Sequence, residues 1–306
     1  MDVKQKQLLE YRSYPKGYYH LCTDGKKGLL FYTNQQYAFT MCSIALITLK
    51  YQVKVYACEV MPTHIHILLS GTGEQCVKCY KFILARIRKI LKEDGYPLPP
   101  DDYWFKLISV DSTESFKKLV VYLARNKYEK GDCTPVGNLW GTGYLFYNQF
   151  AALITGTRVS EMSARQVARI IRSTMVLPPN WEIHPVLGIL PRCFISTDKV
   201  YELFPTAKDY VTAMVKDYES FVKIAASVDE EIALSLEEAK DIVNVLSRDL
   251  FPTVRFRDLT SEQKGMIAVK ANAGYGLSAK QLSQALYIPE YVITQLINSK
   301  DYGKRK

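Results

Sequence analysis

Met61-Pro62-Thr63-His64-Ile65-His66-Ile67-Leu68-Leu69 is the stretch on which the fold turns. Side chains of a strand alternate between its two faces, so His64 and His66 project together. Ile65, Ile67 and Leu69 project to the other side, where a core can hold them. Pro62 separates this segment from a strand-like run, Gln52 to Val60, and Gly71 and Gly73 close it after Ser70. The two runs predict a hairpin whose second arm carries an imidazole pair on one face. Neutral imidazoles so placed can share a divalent metal. The plain alternative is two half-exposed histidines at a strand edge.

Working outward, residues 1–150 alternate short apolar runs with amphipathic ones. Tyr18 to Cys22, Leu29 to Tyr32 and Tyr103 to Val110 read as strands, and Tyr37 to Leu49 as a buried helix. Gln75 to Glu93 reads as a helix with Val77, Tyr80, Ile83, Leu84, Ile87, Ile90 and Leu91 on its apolar side. Thr113 is expected to cap a further helix reaching about Tyr128, with Phe116, Leu119, Val120 and Leu123 on one face. The predicted class is α+β, a mostly antiparallel sheet with packed helices, followed by all-helical C-terminal regions. Expected divisions are a first domain over 1–150, a helical middle region over 151–255 and a small module over 256–306. In the last, Thr260 and Gln263 form a capping box, and two short helices flank Tyr287-Ile288-Pro289. That is helix-turn-helix spacing, shared with any small three-helix bundle.

Composition narrows the function classes. The 306 residues are 48% apolar and 23% charged, which is globular and not disordered. A net charge of +9 and a pI near 9.0 favour a polyanionic partner. No run approaches the ~20 apolar residues of a membrane span, and the N-terminus shows no signal-peptide core. Seven cysteines without a secretory signal read as reduced thiols, hence a cytoplasmic expectation. Cys76-Val77-Lys78-Cys79 has zinc spacing, but no second pair follows it and both thiols fall within a helix. No Gly-x4-Gly-Lys-Ser/Thr loop is present, so nucleotide hydrolysis has no phosphate cradle.

Tyr122 and Asn126 lie four residues apart on the helix that begins near Thr113, and so share a face. Leu119 and Leu123 set the apolar side, with Tyr122 at its border. A carboxamide oxygen from Asn126 can complete a metal site. Tyr128 is the rival phenol, with no such partner four residues on.

In this order the segments Tyr18-Tyr19-His20-Leu21, Leu30-Phe31 and Met61 to Leu69 resemble the single-tyrosine HUH transposases. Tyr122-Leu123-Ala124-Arg125-Asn126, Gly131 and Leu139-Trp140-Gly141-Thr142-Gly143-Tyr144 are similar to the repeat-associated tyrosine transposase branch. The resemblance covers roughly residues 15 to 150. Two positions depart from it: Thr63 stands where the family commonly has asparagine, and Lys127 where it commonly has proline. The resemblance implies an HUH endonuclease domain of ferredoxin/RRM-like fold. It implies Mg²⁺ or Mn²⁺ held by His64, His66 and Asn126, and Tyr122 as a nucleophile forming a 5′-phosphotyrosine. The implied activity is nicking and strand transfer on single-stranded, hairpin-bearing DNA, in the cytoplasm at the nucleoid. Double-stranded DNA is the expected partner of the C-terminal module, and a homodimer the expected assembly. Lys117, Lys118, Arg125, Lys127, Arg86, Arg88 and Lys89 are the candidate DNA-backbone contacts, each of which could equally be a solvated helix charge. Rival functions are a domesticated, non-catalytic DNA-binding regulator, a nicking enzyme of replication or conjugation, and a metal-dependent RNA nuclease.

Overall fold

The computed structural model describes residues 3–26, 28–126, 139–146, 149–216, 224, 234 and 236–298. The chain divides into two compact units, 1–214 and 215–306. The stretch 151–255, expected as one helical region, is therefore shared between them.

The first unit opens with α1 (Val3–Ser13), absent from the sequence expectations because its residues are mostly polar. There follow β1 (Gly17–Thr23), α2 (Asn34–Tyr51), β2 (Lys54–Val60), β3 (Ile65–Gly71), α3 (Gly73–Glu93) and β4 (Phe105–Ser109). The strands form one antiparallel sheet in the order β2-β3-β1-β4. This is the βαββαβ pattern of ferredoxin- and RRM-like folds, as expected. Leu29 to Tyr32, expected as a strand, is instead a loop. The amides of Leu30 and Phe31 both donate to the carbonyl of Pro62, at 2.8 and 3.0 Å, and both side chains are buried. Their apolar character comes from plugging the core, not from pairing in a sheet.

The two sheet faces are unlike. Phe105 stacks on Tyr80 of α3 with ring centroids 4.0 Å apart, and Ile65, Ile67 and Leu69 are buried. This is the apolar face, covered by α2 and α3. On the other face lies α4 (Thr113–Arg125), whose Phe116 packs edge-on against Tyr18 and Tyr56 at 5.3 and 5.2 Å. Its N-cap is Ser112, which accepts from the Ser115 amide, one residue earlier than expected.

Beyond residue 139 the first unit contains α5 (Gln149–Leu153), β5 (Thr157–Arg158), α6 (Ala164–Ile171), β6 (Glu182–His184), β7 (Gly188–Ile189), α7 (Asp198–Leu203) and α8 (Ala207–Lys216). Strands β5-β6-β7 make a small second sheet. They are too short to show an alternating pattern, so the stretch had read as helical. The Ile189 amide donates to Cys42 Sγ of α2 at 3.3 Å. This second layer explains why α2 is buried almost continuously from Ala38 to Ile47: it is flanked by sheet, by α3 and by β7. No helix among the described residues is long and apolar enough to cross a membrane.

The exposed edge of β2 is closed by two later segments. Val60 donates to the Trp140 carbonyl at 2.9 Å and Thr142 to the Cys58 carbonyl at 3.0 Å. Ser196 donates to the Val55 carbonyl at 2.8 Å. A strand edge so paired offers no template for another chain.

The second unit contains α9 (Leu236–Leu250), α10 (Ser261–Tyr275), α11 (Ala279–Leu286) and α12 (Glu290–Asn298) around a core of Leu246, Ile267, Leu282, Leu286 and Ile293. The expected Thr260–Gln263 capping box is present, and a second box joins Ser278 and Gln281. Tyr287, at φ 57°, ends α11 and turns the chain into α12.

Gly73 begins α3 directly under α1. A Cβ there would fall inside the van der Waals shell of the Tyr11 carbonyl oxygen. Gly73→Ala should therefore lower unfolding stability by about 2 kcal/mol or more, read as a drop in Tm. An unchanged Tm would mean that α1 is not packed there.

Candidate functional site

The site lies on the α4 side of the sheet and is built by three segments. Strand pairing sets Glu59 of β2 opposite His66 of β3, His66 opposite Cys22 of β1, and Cys22 opposite Lys106 of β4. One row across the sheet thus carries a carboxylate, an imidazole, a thiol and an ammonium. Glu59, His66 and Cys22 are each at most 2% exposed. Polar groups so buried are tolerable only when they meet one another.

His66 sits at the centre. Its Nδ1 lies 3.0 Å from Nε2 of His20, and its Nε2 lies 3.0 Å from Nδ2 of Asn126. The carboxamide N–H donates to Nε2, which leaves the His66 proton on Nδ1, donated to His20. His64, immediately before β3, has its ring perpendicular to that of His66 with centroids 4.7 Å apart. Thr63 Oγ1 meets His64 Nδ1 at 2.7 Å and so orients the ring through its own neighbour. Thr63 acts here as a hydrogen-bonding partner of the imidazole.

Gly25 follows β1 and presses on the same imidazole. A Cβ there would come within 2.9 Å of His64 Nδ1. Tyr122 of α4 is 1% exposed, with its ring 5.6 Å from that of His66 and 6.2 Å from that of His20. Burial raises the nearby phenols: Tyr144 is pushed up to about 12, and Tyr210 rises further through burial and then the Glu59 charge.

The structure thus gathers His64, His66, Tyr122 and Asn126 around one ring. His20 and Cys22 join them, and neither was singled out as a site residue from the sequence. One ligand atom each from His20, Cys22 and His66 lies within 4.8 Å of the others. The His64–His66–Asn126 donors fit a divalent ion that accepts nitrogen and oxygen, and rotating the Asn126 carboxamide would present Oδ1 where Nδ2 now stands. Only a cross-strand register could reveal the first group, because more than forty residues separate β1 from His66.

The basic residues divide. Arg86 is corrected from a DNA contact to a structural anchor. Its guanidinium donates to Ser43 Oγ at 2.8 Å and to the carbonyls of Ile171 and Arg172 at 2.6 and 3.2 Å, and lies 4.4 Å from the Phe39 ring centre. It closes the C-terminal end of α6. Arg88 and Lys89 lie on α3, across the sheet from the imidazoles, and pair with Asp101 of the following loop and with Glu93 of the same helix. Arg125, only 1% exposed, presents no surface to a DNA backbone in this conformation. Lys117 lies over the Phe204 ring at 5.0 Å, and Lys118 pairs with Glu114 at 3.3 Å. Lys127 and Tyr128 lie outside the described residues. Cys76 and Cys79 are buried in the core, and burial pushes the Cys76 thiol up to about 12, as fits packing groups. No disulfide joins the six described cysteines.

No family model matches this chain, and no curated protein matches it. A solved structure of a REP-associated tyrosine transposase bound to a REP hairpin is similar at 16% identity and a TM-score of 0.35, over 57% of this chain and 90% of that one. A superposition at that level decides neither fold nor function.

Arg86→Ala should cost about 2–3 kcal/mol of unfolding free energy by urea titration, as expected for loss of buried charged hydrogen bonds. Lys89→Ala should stay within about 0.5 kcal/mol. Equal effects at both positions would contradict the anchoring role of Arg86.

Proposed function

We propose that this chain nicks and rejoins single-stranded DNA, with Tyr122 as nucleophile and His64, His66 and Asn126 as the ligands of a divalent ion, Mg²⁺ or Mn²⁺. The observation that supports this is the convergence of α4 on the histidine strand: the Tyr122 ring stands 5.6 Å from His66, and Asn126 reaches the same imidazole. When bound, the ion supplies Lewis-acid polarisation of the scissile phosphate. A phenol of pKa ~10 is almost wholly protonated at neutral pH and needs such help.

The Tyr122 oxygen forms a bond to phosphorus, the bond to the 3′ oxygen breaks, and the phenolic proton ends on the released 3′ hydroxyl. Reversal with another 3′ hydroxyl rejoins the strand, and no nucleotide is consumed. His66 is held in the tautomer that points its Nε2 lone pair at the site, through its hydrogen bond to His20. Thr63 and Gly25 fix the His64 ring. Because the phenol is buried in this conformation, entry of DNA requires α4 or its neighbours to open. Lys117 and Lys118, half-exposed on α4, are the backbone contacts this proposal retains on the site's own face. Helices α11 and α12 would hold double-stranded flanks.

The burial of Tyr122 favours one second reading, a regulator that binds DNA through the same fold without cutting it. A labelled hairpin oligonucleotide incubated with Mn²⁺ separates the two. Wild type should give a covalent protein–DNA adduct that survives denaturation, and Tyr122→Phe should give none. His66→Ala should lose more than the roughly 10–100-fold that loss of an outer hydrogen-bond partner costs a metal site. Binding without an adduct in wild type would favour the regulator, and an undiminished adduct from Tyr122→Phe would refute the assigned nucleophile.

A further inference from the structure

The strand-transfer proposal uses one side of His66. The other side faces β1. His20 and Cys22 are two residues apart on that strand and share a face, and Cys22 stands directly opposite His66 in the register. His20 Nε2 and His66 Nδ1 approach to 3.0 Å, and one ligand atom from each of the three residues lies within 4.8 Å of the other two. All three are buried. Two nitrogens bound at ~2.0–2.1 Å in tetrahedral geometry stand about 3.3 Å apart, so little movement is needed to admit an ion between these rings. The donors are two imidazoles and a sulfur, with no carboxylate. That set suits Zn²⁺ or Co²⁺ and is foreign to Mg²⁺.

We propose that His20, Cys22 and His66 form a second metal site, specific for a soft divalent transition ion such as Zn²⁺ and distinct from the His64–His66–Asn126 set. Its proton balance is defined. The Cys22 thiol releases its proton to solvent and binds as thiolate. The proton shared between His20 and His66 leaves the bridge, and each ring stays neutral with its proton on the nitrogen away from the ion. For His66 that nitrogen is Nε2, to which the Asn126 carboxamide then turns Oδ1 in place of Nδ2 to accept. An Nε2 that carries a proton has no lone pair to give, so filling this site removes His66 from the other. This competition rests on the strand-transfer reading; the thiolate site does not.

The test is spectroscopic and needs no DNA. The full-length protein, stripped with chelator, is titrated with Co²⁺. One equivalent should give a thiolate-to-cobalt charge-transfer band in the near ultraviolet, which one equivalent of Zn²⁺ abolishes. Cys22→Ser should lose the band. His20→Ala should weaken Co²⁺ binding about tenfold or more, and Tyr122→Phe should leave the band unchanged. If Cys22→Ser does not fold, X-ray absorption of the Zn²⁺-loaded wild type decides instead: one sulfur and two imidazoles support the site, and a shell without sulfur overturns it. Absence of the band in wild type, or its persistence in folded Cys22→Ser, overturns it equally. A protein that shows the band yet never cleaves DNA keeps the site and discards only the competition.

Discussion

An imidazole has two nitrogens, and in His66 both are held: by His20 on β1 through one and by Asn126 at the end of α4 through the other. That ring ties the first strand, the third strand and the helix on the other sheet face into one buried polar knot. Each hydrogen bond contributes only about 1 kcal/mol in net terms, but breaking one strands a buried polar group at a cost of about 1–3 kcal/mol. The asymmetry is what makes the arrangement constraining. No member can be replaced by a group of different hydrogen-bonding type without leaving another unmatched.

The sheet makes this possible by keeping its two faces separate in kind. On one, Ile65, Ile67 and Leu69 lie under α2 and α3 and supply ordinary apolar burial. On the other, register lines up Glu59, His66, Cys22 and Lys106 across all four strands. Gly25 and Thr63 then act on His64 from the strand ends, the glycine by leaving room and the threonine by a hydrogen bond. His66, Cys22 and His20 stand on rigid strands and Tyr122 on a helix, which fix their relative positions more closely than loops would.

How far the sequence could be read follows from the range of each signal. The alternation in His64-Ile65-His66-Ile67 is a local pattern of period two, and the four-residue step from Tyr122 to Asn126 is a local helical one; both survive in the structure as shared faces. The four strands and two helices of the βαββαβ order were legible for the same reason, although Leu29 to Tyr32 reads as a further strand that the structure does not form. His20 and Cys22 were not legible as partners of His66, because only tertiary register sets them opposite it. Strands β5 to β7 escaped notice because two or three residues cannot show a period. Arg86 misled in another way: a guanidinium on the polar side of an amphipathic helix looks solvated until a later helix, α6, turns out to end against it.

The β2 edge has a further bearing on how this protein can be made. Its carbonyls and amides are matched first by residues 140–142 and then by residue 196, far along the chain. During synthesis the strand therefore emerges long before its cover, and its outer edge must wait unpaired, open to pairing with another nascent copy. A fragment ended at residue 150, where the sequence pattern places a boundary, keeps the Val55 edge in that state permanently. The smallest independently soluble piece of the first unit should accordingly extend past Ser196, so the stretch that follows α4 serves as an intramolecular guard against aggregation.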